Sequence, residues 1–191
     1  MCGNVQNELW RIDDEHPNYM VSNIGRVMNI KRNKIMKLSE NKNGYLQVTL
    51  WHNGQGKTEQ AAYFVARAFI PNPMFLPSID HINRDRLDNR VENLRWASYS
   101  QQGANRSYPN SCGVRGVRQR GQKWRAQIKF NGKICSLGSY NTKEQAGLIY
   151  DTFAWMLYRD FAILEPGIQR VYTEALKIKI VSLFEHHQFK F

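Results

Sequence analysis

DHINRDRLDNRVENLRW, residues 80–96, is the stretch on which the reading of this chain turns. It opens on an acidic residue beside a histidine, Asp80 and His81, and Asn93 stands twelve residues after that histidine. The segment between them is crowded with Asn, Asp and Arg, a composition that favours local side-chain-to-backbone turns and predicts a loop. Its flanks, 77–80 and 93–96, predict short strands, and 98–105 predicts a helix, with Ser98 and Gln101 at capping-box spacing. A hairpin followed by a helix places His81 near Asn93 and brings a helix face beneath Asp80. Asp80 then offers hard oxygen to a cation, and a neutral His81 can take a proton from water. That pairing suits single-metal phosphodiester hydrolysis.

Charge points the same way. Lys and Arg number 27 against 16 acidic residues in 191, for a net charge of +11 and a pI near 9.7. Such a balance favours a polyanion, nucleic acid before an anionic membrane. From Ala97 to Lys143 there is no acidic residue at all. No apolar run reaches the ~18 residues of a membrane span and no secretory signal opens the chain. The expectation is a soluble intracellular monomer in the cytoplasm or nucleus of a host cell, with no membrane partner. Cysteines 2, 112 and 135 never form a CxxC pair and predict neither a zinc site nor a disulfide framework.

Outward from the central stretch, residues 1–7 read as a disordered lead and 8–50 as a small β-rich module. In that module GYLQVTL (44–50) alternates like a strand, and Gly25 permits a tight turn. Residues 51–106 hold the central core. In it Asn53 and Gly54 mark a hairpin turn, and AAYFVARAFI (61–70) is a buried helix stopped by Pro71, with Phe64, Val65 and Phe69 inward. Residues 107–112 are a linker, 113–166 a third module and 167–191 a tail with a short helix over 168–187. The third module predicts strands near 114–119, 123–130 and 133–138, then a helix over 141–158 capped by Thr142. Asn131-Gly132 is a type I′ hairpin signal between the last two strands. One helix covers one face of a three-stranded sheet, and alternation puts Arg118, Arg120, Arg125, Gln127 and Lys129 together on the other.

Three resemblances follow from these residues. Asp80, His81, Asn89, Asn93, Leu94, Arg95 and Trp96, with the upstream FVARAFIPNP (64–73), resemble the core of HNH homing nucleases of the phage and intron type. In that family a second metal ligand, commonly Asn or His, lies nine residues after the motif asparagine, where this chain has Gln102, one methylene longer than Asn. Many relatives carry His-Arg where this chain has Ala62-Tyr63. Trp10 and the run YMVSNIGRV (19–27) resemble a DNA-binding module found ahead of such nucleases, with Arg26, Lys31, Arg32 and Lys34 as candidate phosphate contacts. RGVR (115–118), Lys123-Trp124, Ala126 to Ile128, Leu137 to Tyr140 and Ala146 to Asp151 resemble the APETALA2-type DNA-binding domain of plant transcription factors.

The resemblances imply an α+β modular fold. A central ββα-metal nuclease core would be flanked by small β-rich DNA-binding modules, the C-terminal one a three-stranded antiparallel sheet plus one helix. They imply double-stranded DNA as partner and a divalent metal, Mg²⁺, held by Asp80 and Gln102. His81 is then the general base and Asn93 the residue that orients its imidazole. Arg115, Arg118, Arg120, Trp124, Arg125, Gln127 and Lys129 would meet DNA, with Trp124 divided between DNA and the core. Cleavage leaving a 5′ phosphate and a 3′ hydroxyl is implied by the family alone. The competing expectation is a DNA-binding regulator whose nuclease core has decayed.

Overall fold

In the computed structural model, residues 7–106, 112–130 and 132–164 are described. The expected helix over 168–187 and most of the expected lead and linker lie outside them. The chain forms two compact units, 1–99 and 100–191.

The first unit is built from short antiparallel pieces around one core. Strands β1 (Trp10–Asp13), β2 (His16–Ser22), β3 (Val27–Asn29) and β4 (Lys34–Ile35) pair in chain order. Strands β5 (Ser39–Glu40), β6 (Leu46–His52) and β7 (Gln55–Gln60) make a second sheet in the same way. The β6–β7 turn is Asn53 and Gly54, at φ 48° and 78°, the left-handed pair that a two-residue hairpin requires. The expected module boundary at 50/51 therefore falls inside a paired strand, with Leu50 opposite Lys57. Helix α1 (Ala61–Phe69) follows β7 directly and buries Ala61, Ala62, Phe64, Val65 and Ala66. Phe64 and Val65 are inward as expected, while Phe69 is only half-buried. These side chains join Tyr19, Val21 and Val27 of the first sheet and Val48 and Leu50 of the second. Ile79 and Leu94 complete the cluster from a last hairpin, β8 (Ser78–His81) and β9 (Leu94–Ala97).

Helix α2 (Tyr99–Ala104) starts two residues after β9. The second unit then has β10 (Val117–Arg120), β11 (Lys123–Phe130) and β12 (Lys133–Tyr140), antiparallel in chain order, and helix α3 (Lys143–Tyr158). The Thr142 side chain accepts from Gln145 N at 3.2 Å and caps α3. Val117, Ala126, Ile128, Cys135 and Leu137 pack against Ala146, Ile149, Tyr150, Phe153 and Ala154 of the helix. Burial pushes the Tyr158 hydroxyl up to about 12, so it stays a donor, to Lys129 O at 2.5 Å. Strand β10 starts later than its residues predict because Gly113 and Gly116 both take positive φ, 74° and 67°. At Gly116 a Cβ would fall 2.0 Å from Cδ2 of Tyr150. Gly116→Ala is expected to cost roughly 2–4 kcal/mol, from left-handed strain plus overpacking. Denaturant unfolding of the two proteins measures it, and an unchanged midpoint would contradict this packing.

Candidate functional site

The β8–β9 register is Ser78↔Ala97, Ile79↔Trp96, Asp80↔Arg95 and His81↔Leu94, and all four residues of β8 are buried. Asp80 is therefore opposite Arg95 across the ladder, and its Oδ2 accepts from Arg95 Nε and from an Arg95 terminal nitrogen, each at 2.9 Å. Both contacts fall on the one oxygen and anchor it by charge-assisted attraction. His81, 5 % exposed, ends the strand, with its Nε2 3.0 Å from Asn89 Oδ1. The ring of Tyr45 covers it at a centroid distance of 5.8 Å.

The loop between the strands holds itself by short Asx turns, which is why its sequence is so polar. Asn83 Oδ1 accepts from Asp85 N at 2.8 Å, and Asp85 Oδ1 accepts from Leu87 N at 3.0 Å. Arg90 donates to both oxygens of Asp88, at 2.9 and 2.8 Å, and holds that carboxyl down at about 2. A carboxyl depressed in the folded state stabilises the loop above the ordinary carboxylate range, an effect lost as the pH falls through about 2. Asn93 closes the loop. Its Oδ1 accepts from Asn83 N at 2.9 Å, its Nδ2 donates to Asp88 O at 2.8 Å, and its own carbonyl accepts from Ile82 N at 2.8 Å.

The expected contact between Asn93 and the imidazole is thus made by Asn89, while both side-chain groups of Asn93 clamp the loop. Asn89 is 4 % exposed and its Nδ2 has no hydrogen-bond partner among the described residues. Leaving such a donor unmet costs about 1–3 kcal/mol, so the side chain is held there against its own preference. Asn89 and Arg95 belong to the quoted stretch, but their roles depend on loop conformation and ladder register. Closing the hairpin in register is enough to pair Asp80 with Arg95. No local pattern pairs His81 with Asn89.

Elsewhere in the first unit, Glu15, His16 and Glu59 bring ligand atoms within 4.8 Å of one another. A cation already lies among them: the Arg67 guanidinium reaches Glu59 Oε1 at 3.0 Å, Asp13 Oδ2 at 3.1 Å and Glu15 Oε2 at 3.5 Å. Arg26 is engaged by Glu8 through Nε at 2.8 Å. Gln102 lies on α2, in the second unit.

In the second unit the expected face forms. Arg118, Arg120, Arg125 and Lys129 are exposed, and Gln127 is half-buried. Arg118 is directly opposite Arg125, and Arg120 opposite Lys123. Arg125 Nε donates to Ser136 Oγ at 3.3 Å. Two expected members depart from this face. Trp124 alternates inward and packs on the core. Arg115 precedes β10, donates to Gly103 O at 3.0 Å and has its other terminal nitrogen buried.

Comparison with known proteins gives a NUMOD4 motif over residues 10–51 and an HNH endonuclease model over 73–104. An uncharacterised HNH endonuclease of Acanthamoeba polyphaga mimivirus is 33 % identical over 131 residues, covering 69 % of this chain and 37 % of that protein. The DNA endonuclease I-HmuI of Bacillus phage SP01 is 36 % identical over 80 residues, covering 42 % and 46 %. An ethylene-responsive transcription factor-like protein of Arabidopsis thaliana is 39 % identical over 62 residues, covering 31 % and 27 %. A solved structure of I-HmuI superposes with a TM-score of 0.47 at 25 % identity, over 72 % of this chain and 80 % of that one. The chain spans less than half the length of these curated relatives. Through the segment 73–104, which carries Asp80, His81 and Asn93, the chain is similar to HNH endonucleases.

Proposed function

We propose that this protein is a metal-dependent DNA endonuclease of the homing type, hydrolysing phosphodiester bonds at His81. The observation that carries the reading is the buried Asp80-His81 pair, its imidazole held by Asn89 and its carboxylate by Arg95. Asp80 and Gln102 would hold the divalent cation, Mg²⁺, since a carboxylate and an amide oxygen are hard donors suited to it. When bound, the ion supplies Lewis-acid stabilisation of negative charge on the departing oxygen. His81, neutral, takes a proton from water, and the water oxygen bonds to phosphorus. The bond from phosphorus to the 3′ oxygen breaks, its electron pair stays on that oxygen, and a proton from solvent completes the 3′ hydroxyl, leaving a 5′ phosphate on the other product. Asn93 serves this chemistry through the loop: by tying Asn83 and Asp88 it fixes where the strands diverge and hence where His81 sits.

Double-stranded DNA would lie on the basic sheet of the second unit, read as an APETALA2-like domain. Like charges directly opposite in a ladder destabilise it by about 0.2–1 kcal/mol per pair. The Arg118–Arg125 and Arg120–Lys123 pairs are therefore poor choices for stability alone and good ones for a polyanion. The three-stranded sheet with one helix is the arrangement this reading rests on. Arg118, Arg120, Arg125, Gln127 and Lys129 would make the contacts, with Arg115 and Trp124 as framework.

Supercoiled plasmid, incubated with and without Mg²⁺, tests the activity. Nicking is expected with the metal and is expected to stop in EDTA. Gln102→Leu is expected to raise the Mg²⁺ concentration needed for half-maximal cleavage; an unchanged requirement removes Gln102 from the ligand set. Binding without any nicking would favour the regulator with a decayed core. Among the described residues no helix is long and apolar enough to cross a membrane.

A further inference from the structure

The β2–β3 turn lies in the NUMOD4 motif, outside the segment matched by the nuclease model. Gly25 in that turn has φ +90°, and a Cβ built on it would fall 2.9 Å from Asn89 Cβ and 3.2 Å from Asn89 O. A Cβ–Cβ approach of 2.9 Å is closer than real Cβ atoms come and the backbone approach is tight as well, so glycine lets the turn lie against the nuclease loop without displacing it. The same turn accepts a hydrogen bond at Asn23 O from Val91 N at 2.8 Å, fixing the loop two residues beyond Asn89. A second point of support comes from the turn between β5 and β6. Arg86 donates to Asn43 O at 2.6 Å and its guanidinium lies 4.8 Å over the Tyr45 ring, which in turn covers His81. The N-terminal sheets therefore touch the loop at Arg86, Asn89 and Val91, and the contact on Asn89 is the Gly25 turn.

We propose that Asn89 is the positioning residue for the His81 base, and that the Gly25 turn of the N-terminal module sets Asn89 in place. The proposal rests on the reading of His81 as general base. An amide oxygen accepts and cannot donate, so Asn89 Oδ1 requires the proton on His81 Nε2. The lone pair that takes a proton from water is then on Nδ1, and ring orientation and tautomer are fixed together. The unmet Nδ2 of Asn89 is consistent with this: the side chain is set for the imidazole and not for its own satisfaction. A module whose expected work is holding DNA thereby also holds the catalytic geometry.

The test uses the full chain with supercoiled plasmid and Mg²⁺, and metal-free protein labelled with ¹⁵N at histidine. Asn89→Leu is expected to lower kcat by about 10- to 100-fold with KM unchanged, the scale for removing a partner that orients a ring. Its ¹⁵N spectrum should lose the Nε2–H preference at His81. Asn89→Asp, an acceptor in the same place, should restore kcat to within about threefold of the wild type and keep the Nε2–H form. Gly25→Ala should resemble Asn89→Leu in both readouts. Gly25→Asn carries the same Cβ on a residue more tolerant of positive φ, and serves if the alanine variant does not fold. Wild-type kcat and tautomer in Asn89→Leu, or no recovery in Asn89→Asp, overturns the role of Asn89. Folded Gly25 variants with wild-type kcat and tautomer overturn the role of the turn. His81→Ala is run alongside: if it still cuts, the reading of His81 fails. If it is dead while the Asn89 and Gly25 variants cut normally, only the positioning inference fails.

Discussion

Replacing His81 is expected to abolish cleavage while leaving DNA binding in place. Loss of a general base typically costs 10²- to 10⁴-fold, so His81→Ala should lower plasmid nicking by about 10²-fold or more at saturating Mg²⁺. Because His81 is 5 % exposed and bonded to Asn89, truncation also opens a buried space and leaves Asn89 Oδ1 unmatched. His81→Gln separates the two effects. A glutamine amide can still donate to Asn89 Oδ1 but cannot act as a base, so it should fold better than alanine and cut no faster. The measurement is initial nicking rate together with thermal unfolding and DNA affinity for each protein. Wild-type rates in either variant would move the chemistry away from the β8–β9 hairpin.

The second large effect is on affinity. If Arg118, Arg120, Arg125 and Lys129 each neutralise one phosphate, the logarithm of the binding constant should fall against the logarithm of salt with a slope near −3.6, at about −0.9 per phosphate. Between about 50 and 200 mM salt that amounts to roughly 10²-fold weaker binding. Arg118→Gln with Arg125→Gln should reduce the slope by about 2 units if both meet phosphate. An arginine that reads a base should instead cost about 1–3 kcal/mol on the preferred sequence and little elsewhere. Since the two arginines are directly opposed, the double variant should also be slightly more stable than the parent, because it removes a cross-strand repulsion. Binding across a salt series with duplex pools, set beside denaturant unfolding, reads both. A slope unchanged by the double substitution would leave this face as solvated surface only.

Much of the fold is legible in the amino-acid sequence because it is local. The β8–β9 hairpin and α2 follow from polar and apolar residues that alternate or cluster over a few positions. The Asn53-Gly54 turn follows from the φ > 0 that only a few residues tolerate. In the second unit the alternation of β11 puts Arg125, Gln127 and Lys129 on one face and Ala126 and Ile128 on the other, and the strand carries them so. The departures are of one kind. Proximity in sequence groups Arg115 with the strand arginines, but positive φ at Gly113 and Gly116 keeps it out of the strand and turns it to Gly103 O. The expected boundary at 50/51 coincides with the end of the NUMOD4 match, while the β6–β7 pairing runs across it.

Residue identity and local pattern set the chemistry available: an acidic residue and a histidine at a strand end, a polar loop after them, and an acid-free basic sheet. Residue identity fixes which atoms can ligate, donate or carry charge, and short-range periodicity fixes which face they share. Which partners Asp80 and His81 meet follows only from the tertiary packing. Asp80 meets Arg95 because of ladder register, and His81 meets Asn89 because the loop folds back under Asx turns. That loop lies where it does because Gly25, 64 residues earlier than Asn89, has no Cβ to keep it away. A contact over that distance along the chain leaves no periodic trace. It depends on the packing of side chains at van der Waals separation, where a single carbon decides whether two segments can touch.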